Sequence, residues 1–137
     1  MTPYTRRKID MTQSLNAPKF AGYAVIAAIL NSIIFLIAKG ADATMVVNQG
    51  GSQEIALPMI FASTLFGLVI GAFVASIIGK KSQGFLSKSS TLGLIFAVVT
   101  AAAPFSASDD SKTSIGLASM HVVAGLIWFV GTKRSTK

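Results

Sequence analysis

The sequence predicts an all-α membrane protein: a bundle of four transmembrane helices with both termini on the cytoplasmic side. Three observations carry that prediction. Four apolar segments, Phe20–Ala38, Ile55–Gly79, Thr91–Phe105 and Thr113–Gly131, divide the 137-residue chain. Only 12% of its residues are charged and 52% are hydrophobic, with a mean hydropathy of +0.64; about a quarter of an ordinary soluble domain is charged. Finally, ten of the twelve basic residues fall on one side of the segments: Arg6, Arg7, Lys8 and Lys19 before the first, Lys80, Lys81 and Lys88 between the second and third, and Lys133, Arg134 and Lys137 after the fourth. Lys39 and Lys112 lie on the other side, beside Asp42, Glu54, Asp109 and Asp110. Short cytoplasmic loops carry the excess of Lys and Arg, so this asymmetry places both termini inside the cell.

Each element follows in turn. Residues 1–19 are polar, contain Pro3 and Pro18, and read as a basic cytoplasmic tail. Residues 20–131 form the transmembrane domain, with spans at about 20–38, 55–79, 88–105 and 113–131, and residues 132–137 form a second basic tail. A spanning helix needs about 20 apolar residues at about 1.5 Å each. The first and fourth segments have 19 each and the second has 25, enough to span with some tilt. The third has only 15, and reaches spanning length toward Leu86 when Lys88 snorkels to the headgroups. Without it, Lys80 and Lys133 would lie on opposite sides. The first segment also resembles a signal peptide, because Ala41-Asp42-Ala43 has a small-x-small form, but an apolar signal region runs to about 7–15 residues. It is therefore expected to stay as an anchor. Pro58 falls in the first turn of the second helix, where a missing N–H is harmless. Pro104 ends the third, and Trp128 is expected to anchor at the membrane interface.

Several function classes are excluded. A net charge of +7 would suit nucleic acid only on a basic face with stacking aromatics; here the charge clusters at the ends of apolar helices, where topology and anionic lipid account for it. The chain has no cysteine, which removes thiolate catalysis, Fe–S ligation and cysteine zinc sites. One histidine ligates neither a haem from both sides nor a mononuclear zinc, so no cofactor and no metal is expected. No sequence repeat relates the halves, which argues against an inverted-repeat transporter.

Small residues recur at four-residue spacing. Ser63, Gly67, Gly71, Ala75 and Gly79 trace a stripe along the second helix, Gly93, Ala97 and Ala101 along the third, and Ala24, Ala28 and Ser32 along the first. Lipid supplies no hydrophobic drive between helices, so close backbone approach must hold them together, and small side chains permit it. Gly67, Gly71, Ala75 and Gly79 are thus expected to pack the bundle, with docking of a partner helix as the alternative.

Polar residues inside the spans are the site candidates, because such groups face a bundle interior or a wet cavity. Counting from the non-cytoplasmic boundary, Asn31, Ser63, Thr64, Thr100 and His121 all fall within roughly 6–15 Å of it. Four helices thereby contribute to one polar layer. As a hydrogen-bond clasp, each such bond contributes about 0.6 kcal/mol on average. As a functional layer, His121 would titrate beneath Asp109 and Asp110. No carboxylate lies mid-span to couple protons, and no nucleophile–base pair is readable, so no catalytic residue is expected.

Ala27-Ala28-Ile29-Leu30-Asn31 in the first span, Ala103-Pro104 before an acidic turn, and Leu117 with Met120-His121 in the fourth resemble an uncharacterised family of small actinobacterial four-helix membrane proteins. The resemblance covers about residues 20–131. It implies the four-span fold and a bacterial plasma membrane, and brings no activity. The Arg6-Arg7-Lys8 tail lies outside it. The expected function is non-enzymatic: a structural or accessory subunit of a larger respiratory or transport complex, with membrane lipid and other membrane-protein subunits as partners and no nucleic acid. The alternative is a small transporter or sensor using the layer around Asn31 and His121.

Overall fold

The computed structural model describes residues 13–137; Arg6, Arg7 and Lys8 lie outside the described residues. Helix α1 runs Ala17–Gly40. Asn16 starts it, its side chain accepting a hydrogen bond from the Lys19 backbone N–H at 3.1 Å, and Pro18 occupies the first turn, where its fixed φ suits a helix. Phe20, Ala24, Ala27, Ala28, Asn31, Phe35 and Ala38 are buried, the three-and-four spacing of one helical face. The helix stops where Asp42 turns into the left-handed region at φ 65°.

The connection to the second span is more ordered than its polar sequence suggests. Strands β1 (Val46–Asn48) and β2 (Ser52–Glu54) pair antiparallel, Val46 opposite Glu54 and Asn48 opposite Ser52. Gly50 and Gly51, at φ 72° and 155°, make the reversal, conformations that a side chain would resist. Met45 leads into the hairpin, fully buried despite a positive φ of 56°.

Helix α2 (Leu57–Lys81) descends to a tight turn at Gly84, φ 78°, and α3 (Phe85–Thr100) returns. A Cβ on Gly79 would lie 2.8 Å from Leu86 Cγ, so glycine is what lets these two helix ends close on each other. Three alanines in turn conformation lead to the short α4 (Pro104–Ala107), and the stretch Phe85–Ala107 is 23 residues long. The third span thus starts at Phe85 rather than near residue 88, with Lys88 exposed in its first turn. Helix α5 (Ser111–Ser135) closes the chain.

Four helices, α1, α2, α3 with α4, and α5, are long and apolar enough to cross a membrane, and the protein is a multi-pass membrane protein. α1 packs between α2 and α5, and α5 between α1 and α3; α2 meets α3 far less extensively. α5 is therefore the central element. One core cluster centres on Phe20, Leu68, Leu86 and Trp128, the other on Phe35, Met45, Ile60, Leu117 and Met120. Large apolar side chains such as Phe66, Phe73, Phe96 and Val99 face outward, the surface a bilayer covers.

Two expectations change. Trp128 is not an interfacial anchor: it is buried, edge-on to Phe20 with ring centroids 5.5 Å apart, and its Nε1–H donates to the Ser89 carbonyl at 2.7 Å. The small-residue stripe of α2 splits. Gly71, Ala75 and Gly79 face the bundle, whereas Ser63 and Gly67 are exposed and a Cβ on Gly67 would meet nothing within 4 Å. With 3.6 residues per turn, a four-residue repeat drifts by about 40° per step. Over four steps that carries the stripe around the helix.

Candidate functional site

The five residues of the expected polar layer lie on α1, α2, α3 and α5, toward the end of the bundle that holds Asp42, Glu54, Asp109 and Asp110. Asn31 sits on the buried face of α1 and is 3% exposed. Its Nδ2 donates to Thr64 Oγ1 on α2 at 3.1 Å, and its Oδ1 is buried without a partner. The other three residues turn back on their own helices. Ser63 Oγ donates to the Ile60 carbonyl at 3.3 Å, and Thr100 Oγ1 to the Phe96 carbonyl at 2.8 Å. His121 Nδ1 lies 2.8 Å from the Leu117 carbonyl. A carbonyl only accepts, so Nδ1 carries a hydrogen and donates it. Hydroxyls three or four residues past a carbonyl find that local bond readily. Of the five residues, then, Asn31 and Thr64 are joined by a hydrogen bond across helices; His121, Ser63 and Thr100 are not joined to them or to one another by any.

Two polar clusters were not foreseen. At the acidic end, Asp110 caps α5, accepting from the Lys112 N–H at 3.1 Å and the Thr113 hydroxyl at 2.6 Å. The same carboxylate accepts the Thr44 N–H at 2.8 Å and the Thr44 hydroxyl at 3.1 Å from the α1–β1 connection. The Thr113 hydroxyl and then the Thr44 N–H hold the Asp110 carboxyl well below the usual carboxylate range. Ser108 Oγ donates to the Val46 carbonyl at 2.7 Å, and the Met45 N–H to Thr113 Oγ1 at 2.8 Å. These bonds fasten the hairpin to the start of α5. An Asp-Asp pair before an apolar helix signals the cap, but nothing in the sequence announces the partner Thr44.

At the basic end, Trp128, Ser89, Ser90, Thr132 and Ser135 are all buried. The Ser90 and Thr132 hydroxyls are 2.6 Å apart, and Thr132 Oγ1 also donates to the Trp128 carbonyl at 2.6 Å. The termini close this end through a bridge between Leu15 and Thr136, with Asn16 N–H donating to the Ser135 carbonyl at 2.7 Å. Its signal is the Ser-rich start of the third span, which antiparallel packing sets opposite Trp128 and Thr132.

A cavity of about 180 Å³ and a groove of about 490 Å³ both lie at the basic end, and none of Asn31, Ser63, Thr64, Thr100 or His121 lines either. Among the described residues no three His, Asp or Glu side chains gather as a metal site would require. The one ion pair among the described residues, Lys39 with Glu54 at 3.6 Å, is exposed and adds little stability.

Residues 14–137 match the model of a family of unknown function, DUF6069. The match takes in the last residues of the N-terminal tail as well as the four spans. No curated protein and no solved structure matches the chain.

Proposed function

The chain belongs to this family of unknown function, and on that premise we propose that it is a structural or accessory subunit of a larger membrane assembly, respiratory or transporting, in a bacterial plasma membrane. The observation that carries the reading is the state of the polar layer. Its hydroxyls and its histidine bond their own helices or, for Thr64, the neighbouring Asn31. Groups already bonded in this way are not free to receive a solute, and the Asn31–Thr64 bond ties α1 to α2. The outward-facing Ser63 and Gly67 support the same reading, because they leave a shallow, small-residue face on α2 where a neighbouring helix can approach.

Both termini lie in the cytoplasm in this reading, since the basic end collects ten of the twelve Lys and Arg residues. In this reading the protein is not an enzyme, and the backbone carbonyl that partners His121, in place of a hydroxyl or thiol nucleophile, supports it. The transporter or sensor alternative has one observation in its favour, the buried Asn31 Oδ1 without a partner.

Solubilisation in mild detergent, capture through a C-terminal tag and mass spectrometry test the proposal. A large membrane protein recovered in fixed stoichiometry is the expected result. Recovery of the chain alone across several detergent strengths would overturn it.

A further inference from the structure

The basic end carries a feature independent of the accessory role. The groove of about 490 Å³ runs between α1 and α2, walled by Phe20, Val69, Ala72, Phe73 and Ile77, and Lys80 in the last turn of α2 lines it too. The cavity of about 180 Å³ is polar, lined by Ser87, Ser90, Thr136, Lys133 and Lys137. The two share Gln13 and Leu86 as walls, so they adjoin. We propose that this composite site holds one anionic phospholipid, with its phosphate among the lysines and an acyl chain along the groove.

Dimensions, charge and access agree on that occupant. From Lys80 back to Val69 is eleven residues, or about 16 Å of helix, close to half of the roughly 30 Å hydrocarbon core. An acyl chain of one leaflet reaches that depth. The groove also falls within the about 300–1,000 Å³ typical of small-molecule sites. Lys19, Lys80, Lys81, Lys88, Lys133, Arg134 and Lys137 all gather at this end, while Asp42, Glu54, Asp109 and Asp110 lie at the other. No acidic side chain among the described residues therefore neutralises the lysines that line the site. Lys133 Nζ is instead 4.0 Å from the Phe129 ring centroid, a position that keeps its charge available to an anion. Val69, Phe73 and Ile77 on its α2 wall are exposed on the outer surface, so the groove opens sideways to the bilayer.

Native mass spectrometry of the full chain in mild detergent, titrated with phosphatidylglycerol or phosphatidylcholine, tests the site. One phosphatidylglycerol should be retained about tenfold more strongly than phosphatidylcholine, since each lysine near an anionic headgroup contributes measurably. Lys80→Gln/Lys133→Gln/Lys137→Gln should erase the preference, and Lys39→Gln/Lys112→Gln at the opposite end should keep it. A phosphatidylglycerol with a photoreactive acyl chain should label the Val69–Ile77 stretch, and glycerol phosphate should not compete. Equal retention of the two lipids, a preference unchanged by the three-lysine variant, labelling elsewhere, or displacement by glycerol phosphate would each overturn the proposal.

Discussion

Gly93→Ala should be the most damaging single methyl in this bundle. A Cβ at Gly93 would overlap the Trp128 indole at Nε1 and Cδ1. The ring has no easy retreat, because Nε1–H donates to the Ser89 carbonyl at 2.7 Å on one side and Phe20 stands edge-on at 5.5 Å on another. Overpacking of a filled interior costs about 1–3 kcal/mol, and a displaced indole also loses a buried hydrogen bond, about 0.5–1.5 kcal/mol. The expected loss is therefore about 1.5–4.5 kcal/mol. Gly67→Ala is the matched control, since nothing lies within 4 Å of its added methyl; alanine there should be neutral or slightly stabilising. The chain has one tryptophan, so its fluorescence during denaturation in mixed micelles reports on the affected site. Gly93→Ala combined with Trp128→Phe should recover part of the loss, because the smaller ring makes room for the methyl; the double variant has no tryptophan, so circular dichroism follows all variants in parallel, and the non-additivity measures the contact. Equal stability of Gly93→Ala and Gly67→Ala would refute the reasoning.

Other outcomes follow from the two polar ends. The folded Asp110 carboxyl is held low, so its contribution is complete above the ordinary carboxylate value of about 4 and is lost as pH falls below it. Thermal stability should be flat from roughly pH 5 to 8 on account of this group and fall in stronger acid, and Asp110→Asn should be less stable at neutral pH with a weaker acid fall. Asn31→Leu removes both the unpartnered Oδ1 and the Nδ2 bond to Thr64; the two effects oppose, and the change should stay within about 1 kcal/mol by thermal denaturation, whereas a large loss would show that the bond to Thr64 outweighs the unpartnered oxygen. His121→Gln should leave complex assembly and partner activity unchanged, as an amide still donates to the Leu117 carbonyl; a lost pH-dependent step with assembly intact would favour the sensor. A cysteine at Gln83 should resist an impermeant thiol reagent in intact cells while one at Gln49 labels, both positions being exposed; the reverse pattern overturns the orientation. Ser135 is fully buried and would be silent in either orientation.

Hydropathy and charge made the four spans legible, because length and apolarity are summed over whole segments and tolerate local error. Angular detail was less so. Ser63 and Gly67 share a four-residue repeat with Gly71 but not a face, since the repeat is longer than a helical turn. The polar layer shows the same limit: sequence sets the depth of Asn31, Ser63, Thr100 and His121, whereas the direction each side chain takes depends on packing. Ser63, Thr100 and His121 also carry a local alternative in their own helix carbonyls, which a reading of depth alone does not weigh. The hairpin was hidden because its strands are three residues each and rest on distant partners, Thr44 on Asp110 and Val46 on Ser108. Trp128 near a basic terminus has the pattern of an interfacial anchor, and only the facing glycine, Gly93, explains why it turns inward.

The bridge between Leu15 and Thr136 has a consequence for the order of events during biosynthesis. Asn16 and Ser135, whose backbones it joins, are 119 positions apart, and synthesis at about 5–20 residues per second separates them by roughly 6–24 s. Throughout that interval α1 can pair with α2 but lacks α5, its other main neighbour. The buried face containing Phe20, Ala24 and Ala27 must then rest against lipid or an insertion factor until the last helix arrives. The nascent protein therefore passes through an open three-helix stage, and α5 is the element whose delay or loss would leave that stage exposed to degradation.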